Sequence, residues 1–320
     1  MGEPLTNEHL PLLRKAKSSW LYPIYVPSAY RYGVAPLLEM LKGAPSAVQR
    51  RVHIITLEED ARGYRACYPW ATIIVERERG IGPARMRALR DADKRGYGHI
   101  VVLDDDIIHL SLLEETYPKG ERYARRYSSK LTGIPEPLLL VRSLAVSCRM
   151  AQAVFDLRAD ASYGATRNAL FAGPVADPSI GAMLNKQSFP ACVMFFDVAR
   201  YSMREMPEPF HLHGEDLAMF LHNLSSGHRA FQLPAVAYDQ HGTISTTIPL
   251  DPEDETGRPH LQHTPEYYPS VHPYLRVSVK NKLGGTKRIG VNWARYYKDT
   301  GTGPDIIPMP ELITKVKETL

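Results

Sequence analysis

Residues Ile100–Asp106 read IVVLDDD, four apolar residues that run straight into Asp104, Asp105 and Asp106. A short run rich in β-branched side chains reads as a buried strand. Three adjacent carboxylates repel one another, so a buried strand end does not gather them without a compensating cation. Mg²⁺ and Mn²⁺ take oxygen ligands from one or two carboxylates and complete their shell with water and substrate phosphates. Alternate residues of an extended chain point the same way, which puts Asp104 and Asp106 on one face for a metal. Asp105 then faces the other way, toward a ribose or sugar hydroxyl. The bland alternative is a solvated acidic turn.

Working outward, Leu21–Val26 (LYPIYV), Val52–Leu57 (VHIITL) and Ala71–Val75 (ATIIV) are three earlier strand runs. Helical spacing covers Val34–Leu41, and a helix over Ala84–Lys94 follows Gly80-Ile81-Gly82-Pro83 and stops before Gly96. Strands alternating with helices predict an α/β fold whose central sheet is mostly parallel. Ligands of such sheets sit beyond the carboxyl ends of the strands. Those ends are polar here: Ser28, Glu58, Glu76 and the aspartate triplet. Farther on, residues 111–137 read as a charged excursion, and 138–155 as an apolar run where helix and strand are hard to separate. A strand is expected at 192–197, an amphipathic helix at 213–224 and a last strand at 231–238. Residues 20–245 then form the main domain, and 246–320 a C-terminal extension.

Three further motifs carry possible chemistry, each with an ordinary structural explanation. Gly80-Ile81-Gly82-Pro83-Ala84-Arg85 opens a helix, where backbone N–H groups and Arg85 attract a diphosphate; solvated arginines on a loop are the alternative. His213-Gly214-Glu215-Asp216 puts two acids in a first helical turn, as a proton acceptor for an attacking hydroxyl or as helix capping. Tyr238-Asp239-Gln240-His241 offers an imidazole that can complete a metal shell, although a lone histidine is more often structural. Lys280, Lys282, Lys287, Arg288 and Arg295 are interleaved with Trp293, Tyr296 and Tyr297. That stretch divides evenly between a polyanion-binding surface and a solvated basic face.

Composition bounds the rest. With 320 residues, 44% hydrophobic and 23% charged, the chain has the make-up of a globular protein with a sizeable core. No apolar run reaches the roughly 20 residues that span a bilayer, and residues 1–13 lack a basic-then-apolar leader. Cys67, Cys148 and Cys192 have no metal-ligand spacing and no even count for a disulfide frame. A cytoplasmic location without membrane attachment is expected. The net charge of +4 does not by itself mark a nucleic-acid binder.

Taken in order, YVPSAYRYG, ITLEED, GIGPARMRAL, VVLDDDI and HGEDLAMF resemble a GT-A glycosyltransferase from Tyr22 to His241. Within that fold the chain is most similar to the TET-associated glycosyltransferases of bacteriophages, relatives of the GREB glycosyltransferase-like domain. The resemblance implies transfer of a sugar, with a UDP-sugar as expected donor, to 5-hydroxymethylcytosine in phage DNA within the bacterial host. Carried over by position, Asp104 and Asp106 hold Mn²⁺ or Mg²⁺ and His241 completes its shell. Pro27, Ser28, Arg31, Glu58, Arg85 and Asp105 line the nucleotide sugar. Asp216, beside Glu215, is the base if the enzyme inverts. Lys280, Lys282, Lys287, Arg288, Trp293 and Arg295 are the candidate DNA contacts, in a region that no motif covers.

Rival readings keep the fold and change the chemistry. A GT-A transferase acting on a protein, glycan or small molecule lacks salt-sensitive DNA binding. A nucleotidyltransferase releases pyrophosphate in place of nucleoside diphosphate. A non-catalytic DNA-binding module is indifferent to Asp106→Ala.

Overall fold

The computed structural model describes residues 9–113, 127–168, 180–185, 192–208, 211, 215–240, 274–280 and 286–319. Four strands form its first half: β1 (Ile24–Pro27), β2 (Val52–Leu57), β3 (Thr72–Glu76) and β4 (His99–Leu103). They pair in parallel in the order β3-β2-β1-β4. The near-continuous apolar runs of β1, β2 and β4 follow from burial on both faces, because crossover helices cover a parallel sheet on each side, while the edge strand β3 is half-buried. Side chains alternate between those faces. Ile24, Val26, Val101 and Leu103 enter one hydrophobic core, whereas Tyr25, Ile100 and Val102 enter the other.

The helices divide accordingly. On the first face lie α1 (His9–Lys15), α2 (Pro36–Lys42), α3 (Ser46–Gln49) and α4 (Ala61–Cys67). The second face takes α5 (Ile81–Lys94), which buries Met86, Ala88, Leu89 and Ala92 at helical spacing. After the short α6 (Ser129–Thr132), the undecided apolar run is the helix α7 (Glu136–Leu157). It is long and apolar enough to cross a membrane, yet 78% of its most apolar stretch is buried against the first face, as in a core helix.

The other half of the sheet is mixed. β5 (Ile107–Leu112), β6 (Ala161–Asn168), β7 (Ile180–Leu184), β8 (Val193–Asp197) and β9 (Arg229–Gln240) complete most of it. β8 runs antiparallel to both β4 and β6, and β9 antiparallel to β5 and β7, while β6 and β9 are parallel. Between β8 and β9, α8 (Glu215–Ser225) packs Leu217, Phe220, Leu221 and Leu224 into the second core.

Part of the 246–320 extension is integral to this body. β10 (Leu275–Lys280) and β11 (Thr286–Val291) form a separate hairpin, followed by α9 (Trp293–Thr300). β12 (Asp305–Pro308) then pairs with β7 at the edge of the main sheet, and α10 (Met309–Glu318) buries Leu312, Ile313 and Val316 in the first core. The approach is close at Gly181, where a Cβ would stand 2.8 Å from that of Leu312.

Candidate active site

The carboxyl ends of β1, β2, β3 and β4 lie along one edge of the parallel half, where the fold places ligands. Asp104, Asp105 and Asp106 occupy the turn between β4 and β5, and each has its own holder. Asp105 is buried: its Oδ1 accepts from Arg31 Nη1 at 2.7 Å and its Oδ2 from Ser28 Oγ at 2.5 Å. Ser28 Oγ stands 2.6 Å from the hydroxyl of Tyr64 on α4, which accepts the Arg31 backbone N–H at 3.3 Å. Burial pushes the Asp105 carboxyl up to about 6, against the lowering pull of Arg31 and Ser28.

Asp106 is held from β9. The register that sets Ile107 against Gln240 brings Gln240 Nε2 to 3.3 Å from Asp106 Oδ1. The same amide lies 3.0 Å from Cys192 Sγ. Burial first, then the neighbouring Asp104, raises the Asp106 pKa. Pairing of Leu103 with Val193 sets Cys192 beside Asp104, whose N–H donates to the Cys192 carbonyl at 2.8 Å. Cys192 takes a left-handed backbone, φ +63°, to make that turn.

Asp104 is held from α5. Arg85, buried to 3% exposure, donates from Nη2 to Asp104 Oδ1 at 2.8 Å and from Nη1 to Glu215 Oε1 at the start of α8. One guanidinium thus joins the strand-end acids to the later acid pair. Burial works against its charge, but Asp104, Glu215 and Asp216 outweigh that and raise its pKa. Burial likewise raises the pKa of Glu215 and of Asp216, with Arg85 pulling both down. The two acids differ in what they touch. Glu215 is engaged by Arg85, whereas the partly buried Asp216 accepts, among the described residues, the Leu217 N–H at 2.7 Å.

Residues 22–130 match the family model described as TET-Associated Glycosyltransferase. Over that stretch, about a third of its length, the chain is similar to the TET-associated glycosyltransferases. No curated protein matches it. Among solved structures it is similar to a mannosyltransferase from Pyrobaculum calidifontis in complex with GDP-Man and Mn²⁺. They share 14% identity over 72% of this chain and 60% of that one, with a TM-score of 0.39. A cytidylyltransferase from Leptospira borgpetersenii shares 11% identity over 66% and 74%, TM-score 0.35. A nucleotide-diphospho-sugar transferase from Desulfovibrio desulfuricans shares 13% over 78% and 97%, TM-score 0.33. At such identities the likeness is one of fold alone.

The structure brings together Ser28, Arg31, Asp104, Asp105, Asp106, Arg85, Glu215 and, through its place next to Glu215, Asp216. Pro27 closes β1 beside them, while Glu58 is exposed in the turn after β2. The glycine-rich helix start does not present an open anion cradle. The Gly82 N–H donates to the His211 carbonyl at 3.0 Å, and Gly80, at φ +118°, has room for no Cβ because that carbonyl oxygen would stand 2.1 Å away. Arg85 turns inward to the carboxylates of Asp104 and Glu215.

Among the described residues, no three His, Cys, Asp or Glu side chains close around one point as a metal cluster. The expected third ligand, His241, and the motif residues His213 and Gly214 lie outside the described residues, as does Lys282; the side chains of Lys280, Lys287 and Arg288 do too. Trp293 is packed on three sides, stacked on Tyr297 at 5.4 Å and edge-on to Phe220 and Tyr296. Tyr296 is buried and Tyr297 donates its hydroxyl to the Asn185 carbonyl, so these aromatics form core and not an open stacking platform. Arg295 is exposed and pairs with Asp299 at 3.5 Å. Tyr64, Cys192 and Gln240 are site residues that sequence reasoning missed. Gln240 has a signal in the sequence, since it stands in YDQH directly before His241.

Proposed function

We propose that this protein is a metal-dependent glycosyltransferase that moves a sugar from a nucleotide-sugar donor, a UDP-sugar first, to the hydroxyl of 5-hydroxymethylcytosine in DNA. The observation that carries the donor half is charge: among the described residues, Asp104, Asp105, Asp106, Glu215 and Asp216 gather around two guanidiniums, Arg31 and Arg85. Carboxylates whose burial opposes ionisation call for a further cation. Asp104 and Asp106 are oxygen donors of the type Mn²⁺ or Mg²⁺ takes, and His241 is the expected third ligand. Such an ion supplies Lewis-acid stabilisation to a departing diphosphate.

The chain's own residues do the rest. Ser28 and Tyr64 orient Asp105 toward a ribose hydroxyl, with Pro27 beside it and Arg31 and Glu58 toward the nucleotide. Asp216 takes the proton of the acceptor hydroxyl as its oxygen bonds the anomeric carbon and nucleoside diphosphate leaves. With retention of configuration, Asp216 orients the acceptor and takes no proton. Catalysis belongs to residues 20–245, with the extension at 246–320 on the acceptor side. The free cysteines suit the reducing cytoplasm of a bacterial host.

The DNA acceptor is supported by the family match. Its test is mass spectrometry of nucleosides after incubating hydroxymethylated and unmodified DNA with nucleotide sugars and Mn²⁺. One added sugar on hydroxymethylcytosine is the expected result. Transfer to a protein or glycan with none to DNA removes the acceptor and keeps the transferase. Release of pyrophosphate removes the transferase.

A further inference from the structure

We propose that Arg85 is a positioning residue that ties the acid turn after β4 to the first turn of α8 and so sets where Asp216 stands, and that it is not a ligand of the donor. The inference rests on the reading of Asp216 as the group facing the acceptor hydroxyl.

Three observations carry it. First, the guanidinium is spent inward: Nη1 serves Glu215, Nη2 serves Asp104, and Nε is buried without a partner among the described residues. At 3% exposure, Arg85 is almost wholly closed off from solvent. Second, its base is fixed. The start of α5 is pinned by the Gly82 N–H on the His211 carbonyl, and Gly80 lies against that carbonyl too closely for any side chain. Third, Asp216 follows Glu215 directly in the first turn of α8, so a force that locates Glu215 locates Asp216. A planar fork bonding two carboxylates from two elements sets both distance and angle between them. A lysine ammonium keeps the charge but lacks the fork.

The test compares wild type, Arg85→Lys, Glu215→Gln and the double variant. The measurement is nucleoside diphosphate release from UDP-glucose, GDP-mannose and other nucleotide sugars with Mn²⁺. For the donor that the wild type turns over fastest, Arg85→Lys lowers kcat by about 10²-fold, the scale of a misplaced reacting group. KM for that donor stays as in the wild type, as does the Kd of its nucleoside diphosphate by calorimetry. In the Glu215→Gln background, Arg85→Lys costs little more, because both changes cut one tether. Melting temperatures show that each variant is folded, and a general packing loss would lower kcat equally in both backgrounds. A raised KM and Kd with kcat preserved would overturn the proposal in favour of a donor ligand. Losses that add in the double variant would overturn it as well. A wild type that releases no nucleoside diphosphate from any donor fells the mechanism and this inference together, whereas an active wild type with additive losses fells the inference alone.

Discussion

Two stretches drew the eye in the sequence for the same reason, a density of one kind of side chain: the aspartates at 104–106 and the aromatics at 293–297. Their fates differ. The aromatics satisfy one another, with Trp293 between Tyr297, Tyr296 and Phe220, and ask for nothing from outside. Among the described residues, the five acids share two guanidiniums, Arg31 and Arg85. Burying apolar rings is favourable in itself, whereas burying like charges is unfavourable until something neutralises them. A dense charged cluster is therefore a stronger pointer to a ligand than a dense aromatic one.

That contrast can be broken most decisively at Asp106. Replacing it with alanine is expected to abolish metal-stimulated turnover of nucleotide sugars while the fold melts no lower than wild type, since the change relieves repulsion. Full activity of Asp106→Ala would leave the acid cluster without its metal. Next in size is Asp216→Asn, which keeps the shape and removes the proton acceptor. Steady-state kcat should fall about 10³-fold, the middle of the range for a general base, and an unchanged kcat would assign the proton elsewhere.

The aromatic side gives smaller, structural effects. His53 is stacked on Tyr25 at 4.7 Å; burial first, then Arg95, pushes its pKa down to about 4. An unfolded histidine titrates near 6.5, so between pH 6.5 and 4 the unfolded chain binds a proton that the fold refuses. Stability then falls as pH drops through that window, by about 3 kcal/mol over its width, and is flat in this respect above it. Denaturant melts against pH should show the slope in wild type and lose that share in His53→Phe. Smallest is Trp293→Ala, expected to cost about 2 kcal/mol, less than a fully buried tryptophan. A fall in DNA affinity at unchanged stability would reverse its assignment to the core.

What the sequence shows and hides follows the same physics. Runs buried on both faces, such as VHIITL at 52–57, need no partner to be recognised, and the structure returns that strand with the same limits. The sheet's second half was harder because β5 begins directly after the acid triplet and shades into the charged excursion. α4, ARGYRAC, has a glycine and two arginines in seven residues and no apolar period, yet it supplies Tyr64 to the site. Ser28 and Asp105 were legible as polar ends of strands, whereas Arg31 came only with the family resemblance. Their holders were less so, because Gln240 and Cys192 reach the triplet through antiparallel register, which a single sequence does not print.

The pairing of β12 with β7 has a consequence for how the chain is made. β7 emerges from the ribosome long before residues 305–308, and until they arrive that side of the sheet offers unpaired N–H and C=O groups. Such an edge invites pairing with another copy. During synthesis the nascent chain thus carries an open pairing edge along β7 until its latch strand is delivered.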